Sequence, residues 1–332
     1  MTALLKKLCA LDGVSGREDA VRDFIISEIA DYCDYTVDKM GNIIAHKKGD
    51  KTPKNKIMID AHTDEVGLIA TYITDSGLIK FSTVGGINTE CLLAQRVRFG
   101  ETYGVIGLKP VHLTSEDERK KLPKPDSLYI DIGCSTREEA ERYVSVGDTA
   151  VFDVPFCERD GFITARAIDD RAGCAVIIDL IKNPSPFDFY ATFTVQEEVG
   201  TRGAGCAAFT VEPDFCLCLE ATTASDIPSV ENEKRVCLVG EGPVISFMDR
   251  GTLYDRELFE LAGECGVKYQ LKTAVAGGNN SSAISRSRGG VRTLAVSLPC
   301  RYIHSPSCCA CVSDLKNVRE MAKALIARLG DL

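Results

Sequence analysis

The sequence predicts an α/β protein in which helices flank an open mixed sheet and a small β-rich domain is inserted into the chain. At both ends of the chain, short apolar runs alternate with amphipathic helical patterns, as expected for layered strands and helices. Between residues 68 and 164, short alternations rich in Val, Ile, Thr and Gly replace that rhythm. We therefore expect a discontinuous α/β domain, residues 1–67 and 165–332, interrupted by an inserted domain, residues 68–164.

Length and composition are those of an ordinary folded protein. The 332 residues are enough for two domains, and 45% hydrophobic with 26% charged residues is a typical balance. A net charge of −9 argues against a nucleic-acid surface. There is no secretory signal pattern, and no apolar run approaches the roughly 18 residues of a membrane span, so we expect a cytoplasmic location.

Fifteen cysteines are an unusually high number for this length. Without a secretory signal, we expect reduced thiols that pack as small apolar side chains. The cluster Cys300, Cys308, Cys309 and Cys311 lacks the paired C-x-x-C spacing of a structural zinc site. Packing is therefore the preferred interpretation of that cluster too.

The elements of the α/β domain follow from periodicity and turn residues. Helices are expected at 3–11 and 17–33, the second begun by a capping box of Ser15 and Glu18. A hairpin at 35–47 turns at Gly41, and a buried strand covers 57–62. Farther on, the patterns predict strands at 128–133, 149–152, 189–195, 215–219 and 292–298. They also predict helices from 135, at 171–181, at 252–265, from 281 and at 313–330, and an exposed loop at 114–125.

His62 ends the strand at 57–62, and Asp64 follows two residues later. Residues i and i+2 of a strand project to the same side, so the imidazole and the carboxylate can share one site. This is the arrangement of a metal-bound histidine whose second ring nitrogen is held by a carboxylate. From this stretch alone, a surface histidine beside an acidic turn is an equal alternative.

Five potential metal ligands lie where predicted strands end: His62, Asp169, Glu198, Glu220 and His304. In open α/β sheets, ligands bind at the carboxyl ends of the strands, so one crevice can collect all five. Two imidazoles and three carboxylates suit a pair of divalent ions such as Zn²⁺, Co²⁺ or Mn²⁺, with Asp169 bridging. Taken singly, each acid is equally a helix cap or part of a solvated loop.

Glu197 and Glu198 are adjacent at the end of a strand. Neighbours there point in different directions, so one can bind a metal ion while the other faces the attacking water. We assign Glu198 to the metal and Glu197 to general-base catalysis, in which it passes a proton to the leaving amine. The alternative is a charged turn that caps the following Gly-rich segment.

Four segments, residues 62–67, 167–173, 196–200 and 301–306, resemble the signatures of one family. That family is the tetrahedral dinuclear-metal aminopeptidases, which include glutamyl and deblocking aminopeptidases and are often labelled "endoglucanase M" in error. The resemblance covers nearly the whole chain, including the insertion. It implies a zinc-peptidase-like fold and a cis peptide bond after the bridging Asp169.

The resemblance also implies residue roles and an assembly. His62 and Glu220 would bind one ion, Glu198 and His304 the other, Asp169 would bridge them, Asp64 would orient His62, and Glu197 would be the base. The inserted domain of the family makes dimer contacts, and dimers form hollow dodecamers that admit only peptides. We therefore expect short peptides as partners, a homo-oligomer from dimer to dodecamer, and neither nucleic acid nor membrane.

Two positions depart from the family pattern. The fourth ligand is usually Asp, whereas this chain has Glu220, whose longer side chain would place the ion differently. The usual loop Gly-Gly-Thr-Asp-Ala is here Gly277-Gly278-Asn279-Asn280-Ser281. Loss of that acid would change recognition of the substrate amine or the electrostatics of the site.

The leading functional hypothesis is a metalloaminopeptidase acting on short peptides through a two-metal-activated water. One alternative is a deacylase of N-acyl amino acids with the same metal chemistry, and another is a non-catalytic relative. A glycoside hydrolase fits less well, because its acid pair must face each other across about 5–9.5 Å. Neighbours such as Glu197 and Glu198 do not readily do so, and the chain has no Trp to stack on a sugar.

Overall fold

The computed structural model describes the backbone of residues 1–332 and all side chains except those of residues 118 and 119. The helices are α1 (Thr2–Ala10), α2 (Asp19–Ile29), α3 (Glu116–Arg119), α4 (Arg137–Ala140), α5 (Ile168–Lys182), α6 (Arg202–Val211), α7 (Arg256–Gly263), α8 (Ser281–Ile284) and α9 (Val312–Gly330). The strands are β1 (Asp34–Val37), β2 (Ile43–Lys47), β3 (Ile57–His62), β4 (Gly67–Ile73), β5 (Ile79–Val84), β6 (Arg96–Phe99), β7 (Thr102–Gly107), β8 (Tyr129–Asp131), β9 (Thr149–Phe152), β10 (Cys157–Arg159), β11 (Phe162–Ala165), β12 (Phe189–Thr194), β13 (Phe215–Thr223), β14 (Val244–Ile245), β15 (Gln270–Leu271), β16 (Arg292–Arg301) and β17 (Cys308–Cys311).

One large mixed sheet forms the centre of the molecule. Its strand order is β1-β2-β12-β3-β13-β16-β17-β11-β10, with β14 and β15 attached beside β16. The inner strands β12, β3, β13 and β16 run parallel, and the pairs outside them are antiparallel except for β14 with β15. The carboxyl ends of the four parallel strands therefore meet along one edge of the sheet.

Helices cover both faces of the sheet, which explains why β3 is buried along its whole length. Ile57 and Ile59 face the core formed with α1, α2, α5 and α9. Met58 faces the smaller cluster formed with α6 and α8. Since alternate residues share a face, Asp60 and His62 lie on the same side as Met58. Among the described residues, no helix combines the length and apolar character needed to cross a lipid bilayer.

The inserted segment forms a separate closed antiparallel barrel of order β4-β5-β8-β7-β6-β9. It has its own core, with Leu68, Val97, Ile106, Ile130 and Phe152 among its buried residues. The open mixed sheet with flanking helices and the small β-rich insertion confirm the predicted fold class.

Several local predictions were wrong or incomplete. Ser15 and Glu18 do not form a capping box, because no side chain caps α2 and the Ser15 hydroxyl instead donates to Asp64. The sequence patterns missed β10, β11, β14, β15 and β17, which are short or lie at sheet edges. The helix expected from Ser281 is a single turn.

Candidate metal centre

The parallel register of the sheet brings the predicted ligands to one edge. His62 is the last residue of β3, and Asp60 is paired with Cys218 of β13. Two residues farther along both strands, Glu220 therefore lies beside His62. Glu198 and His304 follow the ends of β12 and β16, and Asp169 is at the start of α5. All five predicted ligands are thus at the carboxyl edge of the sheet.

The five side chains form two groups that share Asp169. The Nε2 atom of His62 is 3.3 Å from both Asp169 Oδ1 and Glu220 Oε1. The Nε2 atom of His304 is 3.0 Å from Glu198 Oε2 and 3.6 Å from Asp169 Oδ2. Asp169 therefore turns one oxygen toward each histidine, as a bridging carboxylate must.

The donor set fits divalent cations. Asp169 Oδ1 is buried and has no hydrogen-bond donor, a costly arrangement unless a cation is nearby. Although burial opposes it, contacts with Asp169 and Glu198 raise the pKa of His304 to about 11. A cation bound by these groups would replace such a proton, since metal ligands bind as neutral imidazoles and carboxylates. Two imidazoles and three carboxylates suit two ions such as Zn²⁺, Co²⁺ or Mn²⁺.

Asp64 holds the other side of the His62 ring. Its Oδ1 atom is 3.3 Å from His62 Nδ1, and its backbone oxygen is 3.1 Å from the same nitrogen. A proton on Nδ1 leaves Nε2 free to bind a metal ion. The Asp64 carboxylate also accepts hydrogen bonds from the Ser15 hydroxyl and from the backbone N–H groups of Glu197 and Glu198. Ser15 therefore belongs to the support of the site.

Glu197 is half-buried beside this cluster. Burial, together with the charges of Glu198 and Asp169, raises the pKa of Glu197 to about 8. The preceding residue, Gln196, has a φ of 57°, in the left-handed region, and its N–H donates to Glu18. Such conformations persist only where surrounding contacts enforce them. The Glu18 carboxylate thus helps to fix the turn that presents Glu197.

Buried charges fix the loops around the ligands. The peptide bond between Asp169 and Asp170 is cis, as the resemblance implies. Arg171 is fully buried and donates to the backbone carbonyls of Leu8 and Thr63, which joins α5 and α1 to the end of β3. Neither periodicity nor the strand-end pattern pointed to this role of Arg171.

Asn280 lies behind β3. Its side-chain amide donates to Asp60 Oδ2 and to Thr194 Oγ1, both at 2.8 Å. Burial raises the pKa of Asp60 to about 6. Asn280 is buried in these contacts. Having Asn rather than Asp at this position therefore affects the charge of Asp60, behind His62, and not the recognition of a substrate amine directly.

Comparison with known proteins identifies the family. Residues 41–321 match the model of the M42 glutamyl aminopeptidase family. The chain belongs to this family. As an M42 peptidase it is a hydrolase, and the family resemblance drawn from the four motifs is confirmed. Peptidases of this family depend on metal ions, in agreement with the two ligand groups.

The similarity to individual relatives covers almost the whole length of this M42 peptidase. It is 40% identical over 324 residues to a putative aminopeptidase of Acetivibrio thermocellus, covering 96% of each chain. It is 35% identical to a lysyl aminopeptidase of Pyrococcus furiosus, covering 98% of this chain and 96% of the relative. The TET1 peptidase of Pyrococcus horikoshii, a solved structure, has a TM-score of 0.85 and 34% identity, covering 98% of each chain.

Proposed function

We propose that this M42 peptidase is a two-metal aminopeptidase that removes N-terminal residues from peptides. The observation that carries the proposal is Asp169, which directs one oxygen toward each of two histidines. His62 and Glu220 would hold one ion, and Glu198 and His304 the other. Zn²⁺ or Co²⁺ fits this donor set best, and Mn²⁺ is the next choice.

Glu197 is the proposed general base. When bound, the ions would activate water and polarise the scissile carbonyl. A Glu197 carboxylate oxygen takes a proton from the attacking water and delivers it to the leaving amine. Burial raises the pKa of Glu197 toward the neutral range, which suits a group that must both accept and release a proton. Asp64 binds the Glu197 N–H and the His62 ring, so it aligns the base with a ligand.

A pair of substrates separates the proposed activity from the deacylase alternative. We expect the protein, supplied with Zn²⁺, Co²⁺ or Mn²⁺, to cleave leucine p-nitroanilide and to leave N-acetyl-leucine p-nitroanilide intact. Release of acetate from N-acetyl-leucine, without cleavage of the free-amine substrate, would instead establish a deacylase. Inactivity on both substrates with every metal would favour a non-catalytic relative.

We also propose a division of labour between the two parts of the chain. Residues 1–67 and 165–332, together with β10 and β11, which pair within the large sheet, would form the catalytic domain. The barrel within residues 68–164 would form a dimerisation domain of a homo-oligomer. Support comes from the barrel surface, where Tyr103 and Val105 of β7 are exposed on the same face. The Pyrococcus horikoshii relative is described as assembling into a tetrahedron or a large octahedral shell.

The comparisons leave the preferred N-terminal residue open. The family is described by a glutamyl activity, whereas the Pyrococcus furiosus relative is named a lysyl aminopeptidase. These side chains carry opposite charges. The residues around the site of this chain therefore decide the preference.

A further inference from the structure

Two cavities border the candidate ligands, and they differ in size. The first, which reaches Glu65 and Phe152, has a volume of about 10 Å³, enough for roughly one water molecule. The second has a volume of about 130 Å³ and is bordered by Asp169, Glu220 and His304. Of the two, the second can accept an amino-acid side chain next to the ligands.

Lys272 gives this second cavity a buried positive charge. The residue is 8% exposed, and its Nζ atom donates to the backbone carbonyl of Ala276 at 2.8 Å. Among the described side chains, no carboxylate lies within 4.0 Å of that nitrogen. An ammonium group has three N–H donors, so the hydrogen bond to Ala276 leaves donor capacity unused. A buried cation without a paired anion is costly, and a bound carboxylate would offset that cost.

The two acids whose charges act on Lys272 have other partners. Burial lowers the pKa of Lys272, and the negative charge of Asp249 opposes this shift. The Asp249 carboxylate, however, already accepts the N–H groups of Gly251 and Thr252 and the hydroxyl of Tyr254. The charge of Glu220 likewise raises the pKa of Lys272, but Glu220 is one of the proposed metal ligands. Neither residue therefore serves as a dedicated ion-pair partner of Lys272.

The surroundings of Lys272 hold the cation in place before any ligand arrives. Its backbone N–H donates to the carbonyl of Ile245 at 3.0 Å, which continues the pairing of β15 with β14. Asn279, on the same cavity wall, is fixed by a 3.0 Å hydrogen bond from its amide to the Tyr254 hydroxyl. A cation positioned in this way loses little freedom when an anion binds.

We propose that this cavity receives the side chain of the N-terminal residue of the substrate and that Lys272 selects an acidic side chain there. The inference rests on the proposed aminopeptidase function, because it takes the peptide amine and the scissile carbonyl to lie at the ligand cluster. The first side chain then extends into the adjoining space, which is the cavity with Lys272. The side chain of an N-terminal lysine would meet the like charge of Lys272 there. We therefore expect a preference opposite to the lysyl preference for which the Pyrococcus furiosus relative is named.

The test compares substrates that differ mainly in charge. The full-length protein, supplied with Zn²⁺, Co²⁺ or Mn²⁺, would be assayed on p-nitroanilides of Glu, Gln, Leu and Lys. Glu and Gln have nearly the same shape, so the ratio of their kcat/KM values isolates the contribution of charge. We expect wild type to favour Glu over Gln by about 10- to 100-fold, the range of a charge-assisted hydrogen bond. We expect Lys to be the poorest substrate.

Variants then assign the preference to Lys272. In Lys272→Met, the Glu/Gln ratio should fall to about 1, because the positive charge that distinguishes the two side chains is gone. Lys272→Glu should favour Lys over Glu. The matched control is Lys268→Met, which removes an exposed lysine that pairs with Glu241 on the surface, and its Glu/Gln ratio should equal that of wild type.

The wild-type ratio alone can refute the inference, whether or not the variants fold. Cleavage of Leu and Gln substrates without any preference for Glu would overturn the role of Lys272 and leave the aminopeptidase function intact. An equal loss of activity on all four substrates in a folded Lys272→Met would also overturn it, because Lys272 would then be structural. Inactivity of wild type on every substrate with every metal would overturn the proposed function itself.

Discussion

Asp64 connects a candidate ligand to the candidate base through one carboxylate. Although burial opposes it, the contacts with His62 and the hydrogen bond from Ser15 lower the pKa of Asp64. The carboxylate therefore stays ionised while it accepts the N–H groups of Glu197 and Glu198. A change at this single residue should disturb both metal binding and the position of the base.

We expect Asp64→Asn to bind metal about 10- to 100-fold more weakly, because loss of the carboxylate releases the His62 ring. Equilibrium dialysis followed by elemental analysis would measure the affinity. Asp19→Asn removes an exposed acid from α2 and should bind metal as wild type does. Unchanged affinity in Asp64→Asn would show that Asp64 does not orient His62.

The pH dependence of kcat/KM should also reflect Glu197. Activity requires the deprotonated base, so kcat/KM should rise as pH rises through the pKa of Glu197. Burial and neighbouring carboxylates raise that pKa from the ordinary value of 4.5 to about 8, and bound cations would lower it again. We expect the midpoint of the acid limb between these two values. Full activity retained below pH 4, with metal still bound, would contradict a Glu197 base.

At the scale of elements, the site depends on strand register. Parallel pairing aligns Thr194 of β12 with His62, and the β13 register places Glu220 beside the same histidine. Behind this edge, Asp60 accepts hydrogen bonds from Thr192 and Asn280 and so joins β3 to β12 and to the start of α8. The strand register and this buried contact together fix the positions of the ligands at the carboxyl edge of the sheet.

Asn280→Asp tests that contact and introduces the acid that the family resemblance leads us to expect at this position. Two carboxylates 2.8 Å apart cannot both ionise, so one retains a proton in the folded state. Its folded pKa is then above the unfolded value near 3.9, and the free energy of unfolding must fall as pH rises. We expect a loss of about 2–4 kcal/mol at pH 8 and a smaller loss at pH 5.

Urea denaturation of the metal-free protein at both pH values would measure this loss. Asn280→Ala is the control, because it removes the same hydrogen bonds without adding a charge and should depend much less on pH. Equal destabilisation of Asn280→Asp at pH 5 and pH 8 would refute the carboxylate pair.

The residues at the strand ends could be predicted from the sequence, because local patterns mark where each strand ends. The buried run ending at His62 and the motif around Glu198 indicated both the strands and the edge they share. The support of the site could not be predicted in the same way. Ser15 fits a capping-box motif, but its hydroxyl instead donates to Asp64, 49 residues away. A short motif cannot reveal a partner that is so distant in sequence. No sequence pattern pointed to Lys272 as a site residue, because the cavity that it borders is formed by segments distant in sequence.

At the scale of the molecule, ion pairs join the barrel to the catalytic part. Arg98 of β6 pairs with Asp12, which follows α1. Arg166 pairs with Asp12 and with Glu65, close to the end of β3. The barrel therefore has a direct polar connection to the region of the ligands.

The proposed assembly predicts a native mass that is a multiple of 36.0 kDa. Replacement of both Tyr103 and Val105 by Lys should reduce that mass, because two charges would enter an apolar contact on β7. Light scattering after size-exclusion chromatography would measure it. Tyr35 and Val37 have the same spacing and similar exposure on β1, and their replacement by Lys is the matched control. A monomeric wild type, or equal effects of both pairs, would contradict a barrel interface.

Glu197→Gln provides the most direct test of the proposed two-metal aminopeptidase. The measurement is the kcat for leucine p-nitroanilide at saturating metal, on protein whose metal content has been determined. We expect about two ions per chain in wild type and variant alike, with kcat reduced about 100-fold or more in the variant, because an amide cannot accept the proton from water. A Glu197→Gln protein that keeps both ions and wild-type kcat would contradict the role of Glu197 as general base.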